Sequence, residues 1–416
     1  MGLNLPTTNT SGTEGAIHSA WRSGVRAFLA RVALFWSPVI FVFCLLEIVL
    51  WSTGESWPLA RVLEIQSQRR EAIFMRGVLD QSLYAYKWRT LLERRPEILA
   101  LGSSRVMKFR AEMFGDDSAT FYNAGGLVTS IEDLGAFVKG FPADRGPRVL
   151  ILGIDPWWLR PGRSSDENFR VFHDGALSWQ EHLLALRALV RDPRMVRAGP
   201  SLLRGSAAED RIGMHARATG QGFRYDGSLD SGPRSPRRRS GASFVDPERP
   251  TTVKRIRTGT GFFKPSPRVS GPRLHALRQA LSALQSRGIL VVGFAPPVCS
   301  EGVGLLETDP RHQRFWFQYR DRVKRMFDEL GLPFVDASSP TELGLDDRFM
   351  IDGIHGGETL YVHLLRRMLD DPRVSEALPT ASRVVDAAIL SSSTDFWRAD
   401  FPDAVALSGP VASDQS

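Results

Sequence analysis

The chain has 416 residues, with 53 Lys and Arg against 46 Asp and Glu and a formal charge of +7. Apolar residues make up 43% and charged residues 24%, which excludes global disorder and allows a core of domain size. Only Cys44 and Cys299 are cysteines. Cys44 lies in an apolar run, so no disulfide is expected, and CxxC and HExxH spacings do not occur, so neither a metal nor a cofactor is expected.

Residues 1–31 form a polar leader carrying Arg22, Arg26 and Arg31. From Val32 to Trp51 the chain is apolar except for Ser37, Pro38 and Glu47, and a run of about twenty apolar residues suffices to cross a bilayer. The arginines ahead of it predict a cytoplasmic N-terminus and an extracytoplasmic remainder. Trp36 and Trp51 stand where interfacial aromatics sit. A cleaved signal peptide is the rival reading; the long leader and the missing small-residue cleavage site favour an uncleaved anchor. Residues 52–95 mix Leu63, Ile65, Ile73 and Leu83 with charges, which predicts a juxtamembrane helical pair.

From residue 96 strand-like and helix-like segments alternate. Ile98–Leu101, Arg148–Leu152, Ile289–Phe294 and Pro333–Val335 read as strands. Ser130 opens a helix with Leu134, Phe137 and Val138 on its apolar face; Leu274, Leu277, Leu281 and Leu284 repeat at helical spacing up to Gly288. Further helices are predicted over Phe315–Leu330 and Glu358–Leu369. The alternation predicts, for residues 96–380, an α/β three-layer α/β/α sandwich with a mainly parallel sheet, its site at the carboxyl ends of the strands. Residues 204–270 are rich in Arg, Gly, Ser and Pro and include Arg234-Ser235-Pro236-Arg237-Arg238-Arg239, which predicts a mobile insertion. An arginine run suggests nucleic acid when taken alone, but an extracytoplasmic position argues against that partner. Anionic headgroups, an acidic glycan and a neutral solvated loop stay open. Residues 381–416 read as a tail.

Chemistry concentrates at two places. Gly102-Ser103-Ser104-Arg105 follows the first strand, and Asp352-Gly353-Ile354-His355 precedes the last long helix. A serine hydroxyl becomes a nucleophile when an imidazole takes its proton, and a carboxylate fixes the imidazole's tautomer. Between them lie Tyr122-Asn123-Ala124-Gly125-Gly126 and Gly153-Ile154-Asp155-Pro156-Trp157-Trp158. Each piece has a plainer reading. Ser104 or Ser103 can cap a helix, Asn123 can serve a turn, Asp352 and His355 can form an ordinary turn, and the tryptophans can pack as readily as bind a sugar face.

These four blocks, in this order, resemble the SGNH/GDSL hydrolase superfamily. The resemblance implies Ser104 as nucleophile with His355 and Asp352, and Gly125 as a backbone oxyanion donor, assisted by Asn123. Asp155 stands where the family has an asparagine whose amide serves the oxyanion, and Arg105 replaces an apolar residue. An ionised carboxylate in that place repels the oxyanion. Arg105 suits either an anionic substrate or a nearby acid. The anchor and the motif order resemble, more narrowly, membrane-tethered SGNH-like proteins that act beside membrane-bound O-acyltransferases in decorating bacterial surface polymers. That implies an inner-membrane protein of the cell envelope, an acyl donor and a surface polysaccharide as partners, and acyl transfer or esterase chemistry such as O-acetylation. The alternative is a non-catalytic SGNH-like shell that binds glycan or recruits the O-acyltransferase.

Overall fold

The computed structural model describes residues 11–77, 80–142, 146–162, 210–232 and 249–391, with a few isolated positions elsewhere. It begins with one long helix, α1 (Ser11–Thr53), which contains Pro38. Within Gly24–Thr53 the most apolar window has a mean hydropathy of 2.4 and is only 6% buried, consistent with a signal sequence or membrane anchor. There follow α2 (Leu59–Gln68), β1 (Ile73–Phe74), α3 (Asp80–Arg94), β2 (Ile98–Gly102), β3 (Phe121–Gly125), α4 (Ile131–Gly140) and β4 (Val149–Gly153). The segment 210–232 supplies β5 (Arg211–Ile212), α5 (Met214–Thr219), β6 (Gly222–Phe223) and β7 (Leu229–Asp230). The chain then runs through α6 (Arg249–Thr258), α7 (Gly271–Gln285), β8 (Leu290–Ala295), α8 (Ser300–Thr308), α9 (Pro310–Glu329), β9 (Phe334–Asp336), α10 (Glu358–Met368), α11 (Pro372–Ala377) and α12 (Ala381–Leu390).

The main sheet has the order β3-β2-β4-β8-β9, and every pair in it is parallel. Its central strands are apolar at every position because helices cover both faces. Side chains alternate between those faces. Leu99, Leu101, Leu150 and Leu152 join Leu134, Phe137, Leu277, Leu281 and Trp316 on one side. Ile98, Ala100, Val149 and Ile151 join Phe109, Leu360, Leu364 and Val385 on the other. The expected α/β sandwich is therefore present. Ser130 caps α4, its Oγ accepting from Asp133 N at 3.1 Å.

Three features depart from the sequence reading. Part of the segment expected to be a mobile insertion is built into the fold. β5 and β6 flank β1 of the juxtamembrane segment, and β7 pairs with β6, in a second sheet of order β5-β1-β6-β7, while α6 occupies residues 249–258. Two-residue strands carry no legible alternation, so composition alone decided the expectation. The run Arg234–Arg239 lies outside the described residues. The juxtamembrane segment is accordingly two helices plus a strand. The expected tail also begins later: α12 buries Val384, Val385 and Ala388 in the core.

The second sheet joins α1 to the rest of the fold. Gly213 N donates to Thr53 O at 2.7 Å, while Leu46 and Leu50 of α1 pack on Met214. The fully buried Glu55 carboxylate accepts from Gly77 N at 2.7 Å and from Met214 N at 2.8 Å. On the far side of this sheet Met107 packs with Trp57, Leu59, Val62, Phe74 and Phe223.

Candidate active site

β2, β3 and β4 all end on glycine, and Gly102 pairs with Gly125 in register at the carboxyl edge. Gly102 has φ +152°, and a Cβ there would lie 2.8 Å from Val106 Cγ1. Only glycine lets the chain leave β2 so closely packed. The next residues form a short 3-10 turn, Ser104–Val106, with Ser103 as its cap: the Ser103 hydroxyl accepts from Arg105 N at 3.3 Å. This settles the division of labour between the two serines. Ser103 is buried and caps; Ser104 is exposed at the edge of the sheet.

The loop before α10 reaches the same edge. The Ser104 hydroxyl donates to His355 Nε2 at 2.9 Å, and His355 Nδ1 lies 2.7 Å from Asp352 Oδ2. With the proton on Nδ1, held by the carboxylate, Nε2 is left as an acceptor facing the serine. Asp352 Oδ1 also accepts from the backbone N–H groups of Ile354 and His355, each at 2.8 Å, so the turn that places the histidine is fastened by the carboxylate that orients it. Burial pushes the Asp352 carboxyl up, but the bonds from His355 and the two backbone N–H groups outweigh it and hold it below its ordinary range. Such a carboxylate is ionised near neutrality.

Asn123 serves the backbone. Its amide nitrogen donates to Val106 O at 2.8 Å and Phe109 O at 2.9 Å, and its Oδ1 accepts from Gly125 N at 2.9 Å. The Gly125 N–H is thus engaged, and Gly126 N is bonded to Gly102 O. Neither Asn123 nor Gly125 offers its expected oxyanion donor in this conformation. The Ser104 N–H, at the first position of its turn, has no acceptor among the described residues.

Arg105 and Asp155 lie beneath the site. They are 1% and 0% exposed and joined at 2.9 Å between Nη1 and Oδ1. Neither contacts solvent, so a direct role for Arg105 in holding an anionic substrate finds no access here; the guanidinium pairs with the acid. It also donates from Nε to Ile354 O at 3.1 Å and from Nη2 to Pro297 O, and stands over the Trp157 ring at 5.1 Å. Burial raises the Asp155 carboxyl above its ordinary range, opposed by Arg105, Ser103 and His355. Trp157 packs on Phe262, with centroids 4.8 Å apart, and Trp158 is fully buried, so both tryptophans pack.

Sequence reasoning missed Lys87. It is fully buried on α3 and donates to Asn123 O at 2.7 Å and to Gly227 O, under the ring of Phe223 at 4.5 Å. It therefore fastens the strap 222–230 to the end of β3, where Asn123 N also donates to Asp226 O at 2.8 Å. A lysine within a mixed helical segment carries no sign of this. Among the described residues no group of three or more His, Cys, Asp or Glu could hold a metal ion. No protein-family model matches the chain, and no curated protein matches it.

Proposed function

We propose that the chain is a membrane-anchored, SGNH-like serine acyltransferase or esterase acting on O-acyl groups of an extracytoplasmic polysaccharide. The observation that carries this reading is the continuous hydrogen-bonded path Ser104–His355–Asp352 at the carboxyl edge of a parallel sheet. His355 Nε2 takes the Ser104 proton as Oγ attacks an acyl carbonyl, and the resulting oxyanion is met by the Ser104 N–H. The imidazolium returns its proton to the leaving oxygen, which leaves an acyl-serine. A glycan hydroxyl or water, deprotonated by the same imidazole, then releases the acyl group. The arginines before α1 favour an inner-membrane location with the N-terminus inside and the domain outside.

One observation favours the second reading, a non-catalytic shell that binds glycan or recruits a membrane-bound O-acyltransferase. The Gly125 N–H and the Asn123 amide are both occupied, which leaves the oxyanion with fewer donors than such chemistry ordinarily uses. The test is intact mass of the full-length chain in detergent after a fluorophosphonate, beside Ser104→Ala. A single adduct on Ser104 that the variant lacks supports the enzyme; a folded, unmodified wild type refutes it in favour of the shell.

A further inference from the structure

The two residues that break the superfamily pattern form one device. Arg105 follows the serine directly, and its guanidinium reaches three other segments of the site. It meets Asp155 at the end of β4, Pro297 O beyond β8, and Ile354 O inside the Asp352–His355 turn. Its own carbonyl accepts from the Tyr361 hydroxyl on α10, the helix that the histidine loop enters. Trp157 closes one face of the guanidinium. The serine and the histidine come from chain positions 251 residues apart, and nothing covalent sets their distance. A planar, multidonor cation buried between them does.

Resting on the serine reading above, we propose that Arg105 is a positioning residue: it locks the histidine loop against the serine turn, and Asp155 is its buried counter-ion rather than an oxyanion ligand. The asparagine-to-aspartate and apolar-to-arginine departures are then coupled. Either alone would strand a charge in a site that excludes solvent; together they neutralise one another and leave the remaining guanidinium donors for two backbone carbonyls. Lysine cannot replace arginine here, because one ammonium on a flexible stem does not span three acceptors that lie in different directions.

The test uses the full-length chain in detergent and follows fluorophosphonate labelling as a maximal rate and a half-saturating concentration. Arg105→Met lowers the maximal rate by about 10²-fold, the scale for a reacting pair displaced by about 1 Å, with the half-saturating concentration changed less than about threefold. Arg105→Lys does not rescue it. Asp155→Asn keeps an oxygen acceptor for Nη1 and loses less than about tenfold, since a single hydrogen bond to a charged donor survives. Arg105→Met alone strands the buried Asp155 carboxylate at a cost to folding, so the deciding variant is Arg105→Met/Asp155→Asn, which removes both charges. Labelling that stays low in the folded double variant supports positioning. Recovery to the wild-type rate overturns it, because the pair would then serve only to satisfy itself. A second readout is the His355 Nε2 nitrogen shift in histidine-labelled protein, which reports the bond from the Ser104 hydroxyl that joins the two segments. It moves in Ser104→Ala and moves in the same sense in the double variant; a wild-type shift in the double variant overturns the proposal. This signal needs no reaction at the serine, so an unlabelled wild type would sink the serine reading while the role of Arg105 was still decided.

Discussion

Glu55 holds the joint between the long apolar helix α1 and the rest of the fold, and its removal has a calculable effect. The carboxylate is fully buried and accepts from Gly77 N at 2.7 Å and Met214 N at 2.8 Å. Hydrogen bonds to a charged group contribute about 1.5–3 kcal/mol each. Glu55→Ala deletes both and leaves the buried Met214 N–H without its acceptor, so the second sheet should lose about 3–5 kcal/mol of local stability, taking the lower part of the range for the partly buried Gly77 bond. At about 1.4 kcal/mol per tenfold, amides in residues 72–77 and 211–217 should exchange roughly 10²–10³ times faster. The measurement is hydrogen exchange by mass spectrometry on the full-length chain in nanodiscs, with Glu55→Gln, which retains one acceptor oxygen, falling between the two. The main sheet, whose cores are separate, should keep its protection. Exchange in these segments within threefold of wild type would refute the reasoning, since the joint would then be held by the Gly213 N–Thr53 O bond and the Leu46, Leu50 and Met214 packing.

Further outcomes bear on the site and its supports. Asp352→Asn removes the partner that fixes the His355 tautomer and should slow Ser104 labelling by about 10³–10⁴-fold, with melting temperature little changed; a loss below tenfold would mean that the backbone bonds alone orient the ring. Burial lowers the Lys87 ammonium to about 7, against roughly 10.4 in an unfolded chain. Between those values the unfolded state holds a proton that the folded state lacks, so this group adds stability as pH rises from about 7 towards 10 and changes nothing below. The melting-temperature difference between wild type and Lys87→Met should therefore shift in favour of wild type from pH 7 to pH 9, and a flat difference contradicts the assignment. Gly227 has φ +79°, and a Cβ there would lie 2.4 Å from Asn123 O. Gly227→Ala should cost about 2 kcal/mol or more in denaturant titration, about half from the left-handed backbone and the rest from pushing the strap off β3. A midpoint equal to wild type would show that the strap yields freely.

The sheet and the Ser104–His355 pairing were legible because their signals are local. Ile98–Leu101 and Val149–Leu152 are continuous apolar runs, each preceded by a charged residue and followed by glycine, as a doubly covered parallel sheet allows. Ser104 stands two residues after the glycine that ends β2, and His355 lies in a loop with Gly353 and Gly356 just before α10, where turn chemistry is readable. What stayed hidden depends on pairing across long sequence separations. β1 finds β5 138 residues away, between Ile73 and Arg211, through strands too short to alternate. Lys87 and Asp226 act through backbone groups of β3 that no sequence pattern announces. Asn123 was readable as a turn residue or a catalytic one, and only the engagement of both ends of its amide separates these.

The same reasoning explains why the site and the anchor are one mechanical unit. Ser104 sits on a turn whose exit residue, Met107, is buried among side chains of the juxtamembrane unit, and Met107 O accepts from Leu229 N at 2.9 Å. That unit is fastened in turn to the end of α1 by Thr53, Glu55 and Leu50. The path from α1 to Ser104 thus runs through packed apolar contacts and charge-assisted hydrogen bonds. A packed path of this kind transmits displacement instead of absorbing it. Loosening the joint at Glu55 should therefore reach Ser104 as well. In Glu55→Ala the labelling rate should fall although the variant lies far along the chain from the triad. A wild-type labelling rate beside a loosened second sheet would show that the Ser104 turn takes its geometry from Arg105 and the main sheet alone.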